Sequence, residues 1–284
     1  MRFRKSFGLG PENLVKVISY CDNLTALYLH CPDSCDPPRA EEMHNLADNF
    51  NALFSELGRL EYLNIRGPSG STILSECLLE PIAHLPLLES LELAYVSHKD
   101  SEKVGKLAIC LSKLKNLKEL VLDDVNAIDG SWGYHEGPPK LVDLAIIECN
   151  QLYLSDMPMS ISAWAPNLTH LEIKFMEYLE PQEDLSNFNP DHHQFELPEL
   201  THLTIWPHSE YHIKAIFNFL SLKTLPELEV INLSMDHQNF PLQPDVNEIL
   251  SSMGDFLKGR GVQMKWFDEN VPYKLQRSTK FFMS

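Results

Sequence analysis

A short phrase, Leu-x-x-Leu/Ile-x-Leu/Ile, occurs eight times along this chain of 284 residues. Its first leucine is residue 24, 60, 88, 117, 141, 168, 200 and 228 in turn, so successive copies begin 24 to 36 residues apart. Two copies that closely resemble each other are NLTHLEIKF at 167–175 and ELTHLTIWP at 199–207. Self-similarity at this spacing indicates a repeat architecture, in which each copy belongs to one structural unit.

Within each phrase the last apolar residues alternate with polar ones, as in a β-strand that buries one face. Between the phrases lie segments with helical periodicity, which we predict at residues 41–58, 72–85, 101–116, 210–225 and 245–260. One strand and one return helix cannot bury their own apolar faces, so the units must stack. The sequence therefore predicts an α/β solenoid, a curved horseshoe with a parallel sheet on its concave face and helices on its convex face.

The repeats predict one solenoid domain over residues 1–284. Strict repeats occupy about residues 24–233, degenerate end units occupy 1–23 and 234–270, and an irregular tail occupies 271–284. We expect a helix at 11–21 in the front unit and a last strand at 261–267 in the rear unit. A solenoid end needs a polar cap, and none precedes the first repeat. We therefore expect a truncated N-terminus; the alternative is an unprotected edge strand.

The phrase and its spacing resemble the leucine-rich repeat family. Four copies carry Leu-Pro or Ala-Pro before the motif (LPLLESLEL, APNLTHLEI, LPELTHLTI and LPELEVINL), which is similar to the repeat half of F-box proteins, especially fungal ones. That resemblance implies a substrate receptor whose F-box docks on a Skp1-type adaptor and presents substrates to a cullin ubiquitin ligase. The sequence contains no F-box, so the adaptor is implied only if an F-box lies upstream. The alternative is a stand-alone acidic inhibitor or scaffold, as in the ribonuclease-inhibitor-like branch.

Charge and composition limit the partners. Lysine and arginine number 23 against 40 acidic residues, which gives a formal net charge of −17. Nucleic acid and anionic membranes need a surplus of cations, so we expect neither as a partner and expect a protein instead. No apolar run is long enough to span a bilayer, and the N-terminal MRFRKSFGLG lacks the apolar segment of a secretory signal. Six scattered cysteines suggest reduced thiols and an intracellular protein, in the cytoplasm or nucleus.

Side chains alternate across a strand, so the third, fifth and seventh residues of each phrase should face the concavity. From these positions we predict a protein-binding face at Tyr28, Tyr62, Arg66, Glu92, Glu119, Asp123, Asp143, Ile147, His170, Glu172, Lys174, His202 and Trp206. The middle repeats place acidic residues around a small apolar patch of Val121, Ala145 and Ile147, which could equally be a solvated face. The later repeats add two histidines, a lysine and Trp206, the composition of a binding hot spot. The alternative for Trp206 is packing under a neighbouring loop.

No catalytic motif, phosphate loop or paired metal-ligand spacing is present, so we predict a non-enzymatic protein without cofactor or metal. His170 and His202 occupy the same position of adjacent repeats and could hold zinc with Glu172, but they fit better as lining of the binding face. The CPDSC segment at 31–35 and the His192–His193 pair lack a second half at metal-ligand spacing. Residues 177–199 carry seven acids and no lysine or arginine, which favours a mobile acidic loop.

Overall fold

The computed structural model describes residues 20–21, 23–30, 50–67, 73–74, 78–97, 105–126, 128–149, 156–175, 194–207, 212–213, 220, 224–234 and 244–267. The CPDSC segment, the His192–His193 pair and the tail at 271–284 lie outside these residues. So do most of the front helix at 11–21, the first half of the helix at 41–58, most of the helix at 210–225 and most of the acidic loop.

Every copy of the repeated phrase forms a strand. The strands are β1 (Ala26–His30), β2 (Tyr62–Arg66), β3 (Ile73–Leu74), β4 (Ser90–Ser97), β5 (Glu119–Val125), β6 (Asp143–Ile147), β7 (His170–Lys174), β8 (His202–Trp206), β9 (Val230–Ser234) and β10 (Gln263–Phe267). The eight copies form β1, β2 and β4 to β9, whereas β3 and β10 lie outside the phrases. Their order in the one sheet of the described residues is β1-β2-β4-β5-β6-β7-β8-β9-β10, with β3 beside β4. All strand pairs among the described residues are parallel. Together with the helices below, this open parallel sheet is a leucine-rich-repeat α/β solenoid.

The register places equivalent repeat positions side by side. Leu63 of β2 pairs with Leu91 of β4, and Leu91 pairs with Leu120 of β5. At the start of the strands one carbonyl accepts two N–H groups from the next repeat: Thr169 O receives the amides of Thr201 and His202, both at 3.0 Å. The same arrangement recurs from repeat to repeat and fixes the phrases in line.

Short helices connect the strands: α1 (Leu79–Ala83), α2 (Lys106–Leu111), α3 (Met157–Trp164) and α4 (Pro244–Lys258), with a 3₁₀ helix η1 (Gly130–Tyr134). Residues 50–55 are also helical. Buried side chains of these helices, such as Leu107, Ile161 and Leu257, belong to the same apolar cluster as the strand leucines. The helices therefore lie on the face of the sheet that carries the fourth and sixth residues of each phrase, which we call the leucine face. We call the opposite face the inner wall.

The leucine face contains the core. The fourth residue of the phrase is at most 2% exposed in every repeat, as in Leu27, Leu120 and Ile231, and the sixth is at most 8% exposed. Full burial of one such side chain contributes about 1.5–3 kcal/mol relative to exposure. No single repeat could assemble this layer, because each leucine packs against those of the strands beside it.

Two predicted helices differ from the structure. Residues 72–85 were expected to be one helix, but Ile73–Leu74 form a strand that pairs with Val96–Ser97, and of the described residues in this range only Leu79–Ala83 are helical. Ile73 and Val96 are β-branched and favour extended backbone. In the described part of 101–116 the helix spans only Lys106–Leu111: it begins after Gly105, whose φ of 90° is left-handed, and it ends before Ser112. The helix expected at 245–260 and the strand expected at 261–267 are confirmed to within two residues.

Candidate functional site

The inner wall consists of three rows of side chains, one from each inward position of the phrase. The registers define row one as Ala26, Tyr62, Ser90, Glu119, Asp143, His170, His202, Val230 and Gln263. Row two is Tyr28, Asn64, Glu92, Val121, Ala145, Glu172, Thr204, Asn232 and Lys265. Row three begins His30, Arg66, Ala94, Asp123, Ile147, Lys174 and Trp206.

At the start of the inner wall two tyrosines meet an acidic residue. The rings of Tyr28 and Tyr62 lie 4.9 Å apart, and Tyr62 Oη donates to Glu92 Oε2 at 3.3 Å. Burial, followed by the Glu92 charge, raises the pKa of the Tyr62 phenol above its usual value. The phenol therefore stays protonated and remains a donor to the carboxylate. Further along row one, Ser90 Oγ donates to Glu119 Oε2 at 3.3 Å.

Arg66 is the cation of the first half of the inner wall. Its Nη2 donates to Tyr95 Oη at 3.1 Å, and its guanidinium carbon lies 4.8 Å from the centre of the Tyr95 ring. Its Nη1 lies 3.6 Å from Asp123 Oδ2, an ion pair two strands away in which Nη1 makes no hydrogen bond among the described residues. Arg66 thus partly neutralises Asp123, one of the acidic residues of the middle repeats, and stacks on an aromatic ring.

The edge of the inner wall at the strand ends contains three non-glycine residues in left-handed backbone: Tyr95 (φ 56°), Asp124 (φ 51°) and Glu148 (φ 53°). Each directly follows row three in its repeat. Burial and then the charge of Glu148 raise the pKa of the Asp124 carboxyl. Lys174 Nζ meets Glu148 Oε1 at 2.8 Å, with both side chains about one-third exposed (32% and 38%). This edge is therefore polar, charged and conformationally strained.

The later repeats contain stacked and anchored rings. The imidazoles of His170 and His202 lie 4.7 Å apart with planes 13° from parallel. Trp206 Nε1 donates to Glu172 Oε1 at 2.9 Å, so the bond joins row three of β8 to row two of β7. Glu172 is 8% exposed, so this bond ties the indole to a buried carboxylate. Trp206 is half-buried and is held against the inner wall by its own neighbour.

All thirteen residues predicted for the binding face lie on β-strands at the predicted inward positions. Most are half-buried, whereas His30 of row three is exposed. Burial reduces the predicted apolar patch, because Ala145 is 0% and Ile147 is 8% exposed, which leaves Val121 as its half-exposed member. Sequence reasoning missed Tyr95, Asp124 and Glu148, since these residues follow the alternating phrase. For Tyr95 a signal was present, because the segment LELAYVS at 91–97 continues the strand pattern beyond the phrase.

Within the described ranges there is no group of three or more His, Cys, Asp or Glu side chains that could hold a metal ion. The stacked histidines therefore lack, among these residues, the further ligands that a zinc site requires. Nor is any helix in the described part of the chain both long and apolar enough to cross a membrane.

No model of a known protein family matches the sequence. No curated protein matches it. Among 22 matching chains of solved structures is the leucine-rich repeat-containing protein LegL7 from Legionella pneumophila. The two are similar at 13% identity, over 85% of this chain and 91% of that one, with a TM-score of 0.43. The assignment to leucine-rich-repeat solenoids rests on this chain's own strand registers and buried leucine rows.

Proposed function

We propose that this chain is a non-enzymatic protein-recognition module whose partner binds the inner wall. The observation that carries the proposal is the contrast between the two faces of the same strands. The leucine face repeats the same residue types, whereas the inner wall changes chemistry at almost every repeat. Folding accounts for a repeated face, and a varied polar and aromatic face on a rigid sheet is suited to binding one particular partner.

The chemistry of the inner wall favours a partner segment that carries positive charge. Glu92, Glu119 and Asp143 are half-exposed and lie on β4, β5 and β6, which are adjacent strands of the sheet. Two strands beyond β6, on β8, lies Trp206. Tryptophan is a residue type enriched in binding hot spots. With a formal net charge of −17 on the whole chain, electrostatic attraction would speed the encounter with such a segment.

In its finer form, the proposal is the substrate-binding repeat part of an F-box-type ubiquitin-ligase receptor. The Leu-Pro and Ala-Pro phrases support it, and a Skp1-type adaptor would join only through an F-box upstream of these residues. The second candidate is an acidic inhibitor or scaffold that binds a basic protein by charge complementarity, which the acidic middle repeats favour. Both candidates imply an intracellular protein, in the cytoplasm or the nucleus. An F-box in the upstream reading frame would favour the first, and a capping repeat would favour the second.

Affinity capture with quantitative mass spectrometry tests the proposal. Wild type is compared with a wall variant, Glu119→Lys with Trp206→Ala, and with an outer variant, Glu56→Lys with Ile109→Ala. The outer pair makes the same kinds of change at exposed positions away from the inner wall. We expect the wall variant to lose specific partners that wild type and the outer variant both retain. Identical captured sets for wild type and the wall variant, with both folded by circular dichroism, would refute binding through the inner wall.

A further inference from the structure

The side of the sheet at which the strands begin carries two surface positions in each repeat. They are the residue before the first leucine of the phrase and the residue after it, and we call this side the starting edge. Side chains of neighbouring repeats touch along it: Lys118 Nζ meets Glu89 Oε2 at 2.8 Å, and Lys140 Nζ donates to Asn116 Oδ1 at 2.7 Å. The starting edge is therefore a continuous row of side chains, separate from the inner wall.

The charges at these two positions change sign along the sheet. On β10 the register of Gln263 with Val230 places Arg260 at the first position. From β4 to β10 the exposed charged residues are Glu89 (β4), Lys118 (β5), Lys140 (β6), Glu199 (β8), Glu227 and Glu229 (β9), and Arg260 (β10), while β7 carries Asn167 and Thr169. The order is negative, positive, positive, neutral, negative, negative, positive. Strands at equal distance on the two sides of β7 therefore carry opposite charge.

These charged groups have capacity for further contacts. In the part of the chain that the structure describes, the carboxylates of Glu199, Glu227 and Glu229 make no side-chain hydrogen bond or ion pair. An ammonium group has three N–H donors, and each of Lys118 and Lys140 uses one of them in the contact given above. The acidic strands are thus uncompensated within the described residues, and the basic strands can donate further hydrogen bonds.

Exposed apolar surface lies between the charges. Proline stands directly before the first of the two positions in five repeats, and each of these prolines is exposed: Pro86, Pro139, Pro166, Pro198 and Pro226. Leu87 and Val142, which occupy the two positions themselves, are 45% and 37% exposed. Proline has a fixed φ and little conformational entropy to lose, so covering this edge costs little ordering.

We propose that two copies of this chain associate through their starting edges, related by a two-fold axis that runs through the start of β7 perpendicular to the sheet. This axis sets β4 against β10 of the second copy, β5 against β9 and β6 against β8, so every charged strand start meets the opposite charge. A two-fold axis along the edge would instead set each strand against itself and oppose like charges. The inference does not depend on the proposed function.

Two consequences follow from this geometry. Because the axis is perpendicular to the sheet, both inner walls face the same way and lie side by side. The matched strands span six intervals of about 4.8 Å, or about 29 Å, and the contact is only about one turn wide. That area is below the roughly 800 Å² per partner of a standard interface, so we expect a dissociation constant of about 10–100 µM.

Sedimentation velocity of the full chain, from about 5 to about 200 µM at one fixed ionic strength, tests the proposal. The lysine-reversed variant is Lys118→Glu/Lys140→Glu, and the acid-reversed variant is Glu199→Lys/Glu227→Lys/Glu229→Lys. The control is Lys106→Glu/Lys265→Glu, at exposed lysines on α2 and on the inner wall. It changes the net charge by the same amount as the lysine-reversed variant, and so accounts for general repulsion between chains of charge −17.

We expect wild type to approach twice its mass of 32.5 kDa at the highest concentration, with the control within about 3-fold of its dissociation constant. Each reversed variant alone should dimerise at least about 10-fold more weakly. An equimolar mixture of the two reversed variants should form dimers as wild type does, because the new carboxylates of one meet the new lysines of the other. Restored dimers also show that both variants are folded.

Three results would overturn the proposal. The first is a wild type that stays monomeric to about 200 µM, which would leave the starting edge to a different protein. The second is equal dimerisation of wild type and the reversed variants, or an equal loss in the control and the lysine-reversed variant. The third is a mixture of the reversed variants that stays monomeric. None of these results would bear on recognition through the inner wall.

Discussion

The two faces of each strand obey different rules. In β5, Leu120 and Leu122 are fully buried, and every register partner of theirs on β4 and β6 is a leucine or an isoleucine. The inward residues differ more: Glu119 lies between Ser90 and Asp143, and Val121 lies between Glu92 and Ala145. The leucine face is interchangeable from repeat to repeat, and the inner wall is particular to each. Stability should therefore depend on the first face and recognition on the second. The predictions that follow test this division, starting with the largest effect.

Truncating the leucine face should be far more damaging than changing the inner wall next to it. Leu120→Ala removes a fully buried side chain between two other leucine-bearing strands, and should lower the free energy of unfolding by about 2–5 kcal/mol. Glu119→Gln, one residue earlier, should change it by less than about 0.5 kcal/mol. Urea denaturation followed by circular dichroism measures both. Comparable losses for the two variants would show that the faces do not divide the roles.

Thiol chemistry tests whether the leucine face is closed to water. Burial raises the pKa of both Cys110 and Cys149 from the usual 9.0 to about 12. At pH 8 the thiolate of each should be about a thousandfold scarcer than for an ordinary cysteine. Alkylation by iodoacetamide, located by peptide mass spectrometry, should therefore modify half-exposed Cys21 long before either. Labelling of Cys110 or Cys149 as fast as Cys21 in the folded protein would mean that the leucine side is open to water.

One contact joins recognition to stability. Trp206 donates to Glu172, which is 8% exposed, so Trp206→Phe leaves a buried carboxylate with one hydrogen bond fewer. A double-mutant cycle of Trp206→Phe and Glu172→Met, neither of which can make this bond, should give a coupling of about 1–2 kcal/mol in the free energy of unfolding. Additive effects would indicate that the indole is not held by this bond, and would remove the argument that Trp206 is presented in a fixed orientation.

The smallest effect concerns the strained edge. The raised pKa of Asp124 means that the folded state holds this proton more tightly than the unfolded state. Ionised Asp124 therefore destabilises the fold above its raised pKa, and that loss disappears as the pH falls through it. Asp124→Asn keeps a residue that tolerates left-handed backbone. It should stabilise the protein by a few tenths of a kcal/mol at neutral pH, with the charge partly screened by solvent, and by nothing near pH 4. Urea midpoints across that pH range measure the difference, and a gain that persists at pH 4 would contradict the charge explanation.

The sequence predicted the strands well because their signal is repeated. One phrase is ambiguous between strand and buried helix, whereas eight in phase allow only the stacked arrangement, and the alternation then places every inward residue. Residues 72–85 lacked that redundancy. Their apolar content fitted a helix, and the pairing of Ile73–Leu74 with the extension of β4 depends on a neighbour that no local pattern describes.

Contacts between inward side chains could not be predicted from the sequence, for a different reason. Alternation places Glu172 and Trp206 on the inner wall, yet their bond depends on rotamers and joins different rows of adjacent strands. The histidine stack was foreseeable as proximity, because Leu-Thr-His-Leu repeats in register, but its chemistry was not.

The inner wall is best tested with a single captured partner and isothermal titration calorimetry. The dissociation constant is compared among wild type, Glu119→Lys/Trp206→Ala, and the outer variant Glu56→Lys/Ile109→Ala, each shown by circular dichroism to be fully folded at the temperature of the titration. We predict that the wall variant binds at least about 10-fold more weakly while the outer variant stays within about 2-fold of wild type. Undiminished binding by the wall variant, or an equal loss in the outer variant, would contradict recognition through the inner wall.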